Sequence, residues 1–149
     1  MVELENTDAK DVATVLLVTP TFAYHSPGGF DAFADTLNSA LTALGFEEQI
    51  QLVFFHPQYT FRDGKARVGA SDGAAANFAR RSPFPMINLL RTPQVRAAQK
   101  GVPTGSVYTT NERNLATVGV GELQEALDTR DWQKVFAKAF VPHSENTWK

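Results

Sequence analysis

Cysteine is missing from this 149-residue chain, and with it go disulfide frameworks, thiolate zinc sites and cysteine nucleophiles. Long apolar runs are missing too. The longest, Val12 to Val18 with Thr14 inside it, is far too short to cross a bilayer, so no membrane span is expected. Neither sign of charge dominates: 14 basic residues face 16 acidic ones, for a formal net charge of -2. No global field therefore draws the chain toward nucleic acid or an anionic membrane. No GxGxxG follows a strand-like run, and GxxxxGK[ST] and GxSxG are absent, so nucleotide-fold and hydrolase signatures are excluded and no cofactor is expected. His25, His56 and His143 lie far apart, without His-x-x-x-His or paired carboxylates, and no metal site is expected. The opening Met1-Val2-Glu3-Leu4-Glu5-Asn6 is acidic and has neither an apolar signal core nor an arginine-rich transit pattern.

What is present is the composition of a globular protein: 43% hydrophobic, 11% aromatic and 20% charged residues. The length suits a single domain over residues 1–149, with 1–11 and 143–149 as flexible or extended ends. Val12 to Thr19 is β-branched and apolar on both alternating faces, the pattern of a central strand covered on two sides. Pro20 and Ser26-Pro27-Gly28-Gly29 then interrupt regular structure. Phe30, Phe33, Ala34, Leu37, Leu41 and Leu44 recur at helical spacing, and Gly45 supplies a left-handed stop. Gln49 to Phe55 reads as a second strand. Strand, helix and strand in this order predict a right-handed crossover, with the two strands as parallel neighbours or near-neighbours.

Arg62 to Ala76 is rich in Gly, Ala, Asp and Ser and reads as a lid or a mobile excursion. Met86 to Arg91 is a third strand, and Thr92-Pro93 looks like an N-cap with proline at the first helical position, the helix ending at Gly101. Thr110 can cap a helix through Leu115, and Glu122 to Leu127 forms another. Trp132, Val135, Phe136, Ala139 and Phe140 make an apolar stripe, with Asp131 in the first turn and Pro142 as the stop. The stripe is either core or, with Trp132, Phe136 and Phe140 exposed, a docking surface for a protein partner. The expected class is α/β or α+β: a small mixed or parallel sheet of three to four strands, one β-α-β unit, and a helical C-terminal third.

In sheets of parallel strands, ligands gather beyond the carboxyl ends of the strands. That rule singles out His56 and Tyr59 after the second strand as candidate catalytic residues, because an imidazole at a strand end can act as acid, base or ligand. The bland alternative is a packed histidine bonded to backbone. Asn77, Arg81, Ser82, Arg91 and the helix start at Thr92 could bind a phosphate or carboxylate by forked hydrogen bonds and free amides. Arg80 reads instead as solvent-facing or paired with an acidic neighbour.

Three blocks carry a resemblance. They are Val15-Leu16-Leu17-Val18-Thr19-Pro20, then Gln51 to Phe61 with its Phe-His-Pro-x-Tyr-x-Phe pattern, then Asn77 to Arg91 with Arg-Ser-Pro-Phe-Pro and Leu-Leu-Arg. Over Ala13 to about Leu127 they resemble a bacterial and plastid family catalogued as domain of unknown function 1415. The resemblance implies a cytoplasmic or organellar protein, such as one of the plastid stroma after loss of a transit segment. It also exposes departures. The family's further N-terminal segment with Cys-Pro-Phe is lacking, a usual histidine is Thr19, an acidic pair reads Gly73-Ala74, an asparagine is Arg80 and a second histidine is Asn88. Polar positions are lost while the apolar frame stays, which implies a divergent, non-catalytic member: a binding or accessory protein, a subunit of a larger assembly. The alternative is a small-anion or metabolite-binding enzyme using His56 with Arg81 and Arg91.

Overall fold

A computed structural model describes residues 6–61, 74–101 and 106–139. They divide into two compact units, one drawn from 1–59 and 80–106, the other from 60–79 and 107–149.

The first unit holds the sheet, made of β1 (Thr14–Val18), β2 (Ile50–Phe55) and β3 (Met86–Arg91) in the order β1-β3-β2. Both pairings are antiparallel, with Leu16 opposite Asn88 and Val53 opposite Asn88 from the other side. The class is therefore α+β, with three strands and a β-α-β unit as expected, but the expected parallel ladder is corrected. Because β1 and β2 each run against β3, they run in the same direction as one another. The third strand has entered between them, and every hydrogen bond of the ladder is antiparallel. β1 is likewise an edge strand and not a central one: Leu16 is 50% and Leu17 51% exposed. An apolar run looks the same whether both its faces are covered or merely available.

Between β1 and β2 the chain crosses over through α1 (Pro27–Ala43). The cluster Ser26-Pro27-Gly28-Gly29, expected to interrupt structure, starts this helix instead. Ser26 is the N-cap, its Oγ accepting from the Gly29 N–H at 3.3 Å, and Pro27 opens the first turn. At the other end Gly45 takes φ +70°, while Gly45 N–H donates to Thr42 and Phe46 N–H to Leu41. This paired closure satisfies carbonyls that the last turn would otherwise leave open. Phe30, Ala34 and Leu41 are buried, and the Phe30 ring meets Phe54 edge-on at 6.2 Å. Burying a ring of that size stabilises by about 3 kcal/mol.

β3 runs without a loop into α2 (Thr92–Gln99). Arg91, not Thr92, is the residue that caps this helix, and it does so without a side-chain bond. Thr92 is already helical and buried, its Oγ1 donating to Glu47 O at 2.9 Å and its N–H to Gln49 O at 3.0 Å. The helix ends before Gly101, whose φ is +83°.

The second unit is helical. A 3-10 turn (Ala75–Ala79) precedes α3 (Ser106–Val118), α4 (Val120–Thr129) and α5 (Gln133–Ala139). Thr110 lies inside α3 and does not cap it, and Asp131 stands just before α5, its Oδ1 accepting from Gln133 N–H at 3.1 Å. Phe78, Val118, Leu123, Ala126, Leu127 and Val135 form one buried apolar cluster, with Ala75, Leu115 and Trp132 packed against it. Lys134 with Glu125 and Lys138 with Glu122 tie α5 to α4. Most of the expected lid, residues 62–73, lies outside the described residues, as do 1–5 and Phe140 with the tail that follows it. Within the described residues 7–12, Thr7 O and Val12 O accept from the Arg91 guanidinium. Among the described residues no helix is long and apolar enough to cross a membrane.

Candidate functional site

His56 follows the last residue of β2 and is 1% exposed. Its Nδ1 accepts from Gln58 N–H at 3.1 Å, and its Nε2 faces Ala23 O at 3.1 Å. An Nδ1 that accepts leaves the ring hydrogen on Nε2, so the arrangement is a neutral imidazole donating to Ala23. The main chain closes round the ring: His56 N–H donates to Arg80 O at 3.1 Å, and Tyr59 N–H to His56 O at 3.0 Å. Phe30 lies against the imidazole with 5.3 Å between ring centroids. His56 thus joins three segments that are remote in sequence: the loop after β1, the turn after β2 and the approach to β3. Ala23 meets it with φ +54°, a left-handed conformation that costs an alanine about 1 kcal/mol and that the surrounding bonds hold in place.

Tyr59, Arg81 and Ser82 gather at the same end of the sheet. Arg81 Nε donates to Tyr59 O at 3.2 Å, and the buried Ser82 Oγ donates to Phe84 O at 2.6 Å. Thr19 closes the group, with both its N–H and its Oγ1 donating to Pro85 O at 2.9 Å. Asn77 belongs to the helical unit, where it is buried and accepts from Phe61 N–H at 3.1 Å.

Arg91 and Thr92 are not part of this group. Arg91 is opposite Ile50, at the start of β2, whereas His56 follows Phe55, which is opposite Met86. Five steps of about 3.4 Å put the two ends roughly 17 Å apart. The expectation of one rim shared by His56, Arg81 and Arg91 is corrected, because the strand that delivers Arg91 runs the other way. Arg91 instead donates from Nε to Val12 O at 3.1 Å and from Nη2 to Thr7 O at 2.5 Å, fastening the segment before β1.

The aromatic stripe of α5 is split. Trp132 packs half-buried on the helical core, correcting its place as a docking residue, while Phe136 is 58% exposed. Two surface features had no sequence signal. An open groove of about 460 Å³ runs beside β2, its walls including Leu41, Ile50, Leu52, Thr92 and Arg96. At its margin Arg96 forks onto Glu48, with Nη1 to Oε2 at 2.5 Å and Nη2 to Oε1 at 3.0 Å, and this bond holds the Glu48 carboxyl below its ordinary range. The second feature is β1 itself, paired along one side only among the described residues and with Leu16, Leu17 and Val18 exposed.

A family model described as Protein of unknown function (DUF1415) matches residues 1–125. The chain belongs to this family. No curated protein and no solved structure matches it. The match covers every strand and both blocks that meet at His56, and it extends through α3 into α4.

Proposed function

We propose that this member of the DUF1415 family is a non-enzymatic binding protein, an accessory subunit of a larger assembly. One observation carries the reading: both ring nitrogens of the best-placed acid-base residue, His56, are engaged by backbone groups in a closed pocket. General acid-base work needs a ring nitrogen within reach of a substrate proton. Here that reach would require breaking the bonds that join three segments of the sheet unit. Three of the residues at positions that depart from the family pattern support the same reading, because they bond or pack within the chain. Thr19 bonds Pro85 O, Arg80 stands 5.7 Å over the Phe55 ring, and Asn88 accepts from Thr14 Oγ1.

The test is a thermal-shift panel of phosphate esters and carboxylates on the full chain. A ligand at a hundred times its dissociation constant adds about 2.7 kcal/mol of stability, which such a panel registers readily. The expected outcome is no shift. A ligand whose shift disappears in Arg81→Ala would replace this reading with that of a small-anion or metabolite-binding enzyme. A bacterial or plastid setting would follow the resemblance and is proposed with it; organelle fractionation checks it.

A further inference from the structure

Among the described residues, the outer side of β1 is an unpaired edge. Thr19 N–H donates to Pro85 O at 2.9 Å, in register with Val18 opposite Met86. Bonded pairs alternate along an antiparallel ladder, so Leu17 and Val15 face β3 with their main-chain groups. The N–H and C=O groups of Thr14, Leu16 and Val18 then point away from the sheet. No further strand pairs there among the described residues. Natural edges are normally blunted by a charge, a proline or a bulge. β1 has none of these: its sequence is Thr-Val-Leu-Leu-Val and its register is unbroken. Leu16, Leu17 and Val18 are all exposed.

We propose that this edge pairs with the β1 of a second copy of the chain, antiparallel about a two-fold axis at Leu16, forming a continuous six-stranded sheet. The outward set selects this occupant. Thr14, Leu16 and Val18 are three alternate residues centred on Leu16, so turning the strand about that point places outward groups opposite outward groups. Leu16 meets the second copy's Leu16, and Thr14 meets its Val18. On the other face Leu17 meets its Val15. Each apolar side chain gains an apolar or threonine neighbour, the pairing that stabilises antiparallel sheets. Charge agrees as well. β1 carries no charged residue, so no like charges face each other across the axis. An interface of this kind is isologous, as most two-fold dimers are. The inference deepens the reading of the chain as a binding protein by naming the partner of this edge.

Sedimentation velocity of the full chain, alone and as charge variants, tests it. Wild type should sediment at roughly twice the monomer mass. Leu16→Lys and Leu16→Glu each place like charges on the axis and should each be monomeric. An equal mixture of the two should recover the dimer, which a misfolded variant could not do. Hydrogen exchange on the wild-type chain needs no variant: the Leu16 and Val18 amides should be protected increasingly as concentration rises, while the Leu17 amide is protected throughout. A monomer at every concentration, charge variants that dimerise like wild type, or fast exchange at Leu16 and Val18 at all concentrations would overturn the proposal. A monomer whose β1 takes a different protein would also overturn it while leaving the binding reading intact. A metabolite shift lost in Arg81→Ala, with the dimer unaffected, would overturn the binding reading alone.

Discussion

The two units are stabilised in different ways. The helical unit gathers Phe78, Val118, Leu123, Ala126, Leu127 and Val135 into an apolar cluster, and among its described residues it buries a single polar side chain, Asn77, which accepts from Phe61 N–H. The sheet unit buries His56, Ser82 and Thr92 beside Phe30, Ile50 and Ile87, and each of these polar side chains bonds a backbone group. The difference follows from backbone accounting. A helix satisfies its own N–H and C=O groups, so its neighbours need only fill space. At the end of the three-stranded sheet, loops converge with main-chain groups that have no ladder to join, and polar side chains supply the partners. Truncating a buried polar side chain of the sheet unit should therefore leave orphaned backbone groups, and truncating a side chain of the helical cluster should leave a hole.

The largest effect belongs to the hole. Leu123 is 1% exposed at the centre of the helical cluster, and Leu123→Ala should cost about 3 kcal/mol, within the usual range for a buried leucine. Both tryptophans, Trp132 and Trp148, follow residue 106, so fluorescence-detected denaturation reports on this part of the chain. A loss under about 1 kcal/mol would mean that the cluster collapses to fill the gap and is less tightly packed than its burial implies.

His56→Phe comes next and isolates the other mechanism. It keeps a ring beside Phe30 but removes both bonding nitrogens, leaving Gln58 N–H without its partner; Ala23 O retains Ser26 N–H. An unpartnered donor costs about 1–3 kcal/mol when buried; Gln58 is itself exposed and water can replace part of the bond, so a loss of about 1 kcal/mol is expected in urea denaturation followed by far-UV circular dichroism. An unchanged or raised stability would mean that the imidazole was filling space, and the contrast between the units would fail.

Much of this fold was legible in the chain, and what was not shares one cause. The spacing of Phe30, Ala34 and Leu41 and the stop at Gly45 are local, and α1 forms as they dictate, extended by one turn through Ser26. Met86 to Arg91 stands where its composition put it. Strand order, by contrast, depends on which segment enters last beside which, and nothing within Val12 to Thr19 distinguishes an edge from a centre. The placement of site residues depends on the same order: a parallel sheet sends its carboxyl ends to one rim, whereas the antiparallel β3 carries Arg91 to the far end and leaves Arg81 beside Tyr59. That a buried His56 bonds backbone follows from the general need of buried polar groups for partners, but the partners themselves, Ala23 O and Gln58 N–H, come from a turn and a left-handed alanine with no sequence signature.

The smallest expected effect tests whether polar satisfaction in the sheet unit extends to its surface. An added Cβ at Gly29 would lie 2.7 Å from Ser26 Oγ, the atom that caps α1. Ser26→Ala should cost about 1 kcal/mol, the usual value of such a cap. Gly29→Ala alone should be nearly neutral, because the gain from replacing glycine in a helix, roughly 0.5–1 kcal/mol, is offset when the new methyl group turns Ser26 Oγ away from its donor. Once Ser26 is alanine there is no cap to displace, and the same Gly29→Ala change should return about 0.5–1 kcal/mol. Thermal unfolding of the four proteins in this cycle measures the coupling directly. Full stabilisation by Gly29→Ala in the presence of Ser26 would show that the serine can rotate without losing its bond, and that the helix start, unlike the pocket around His56, is not held by that hydroxyl.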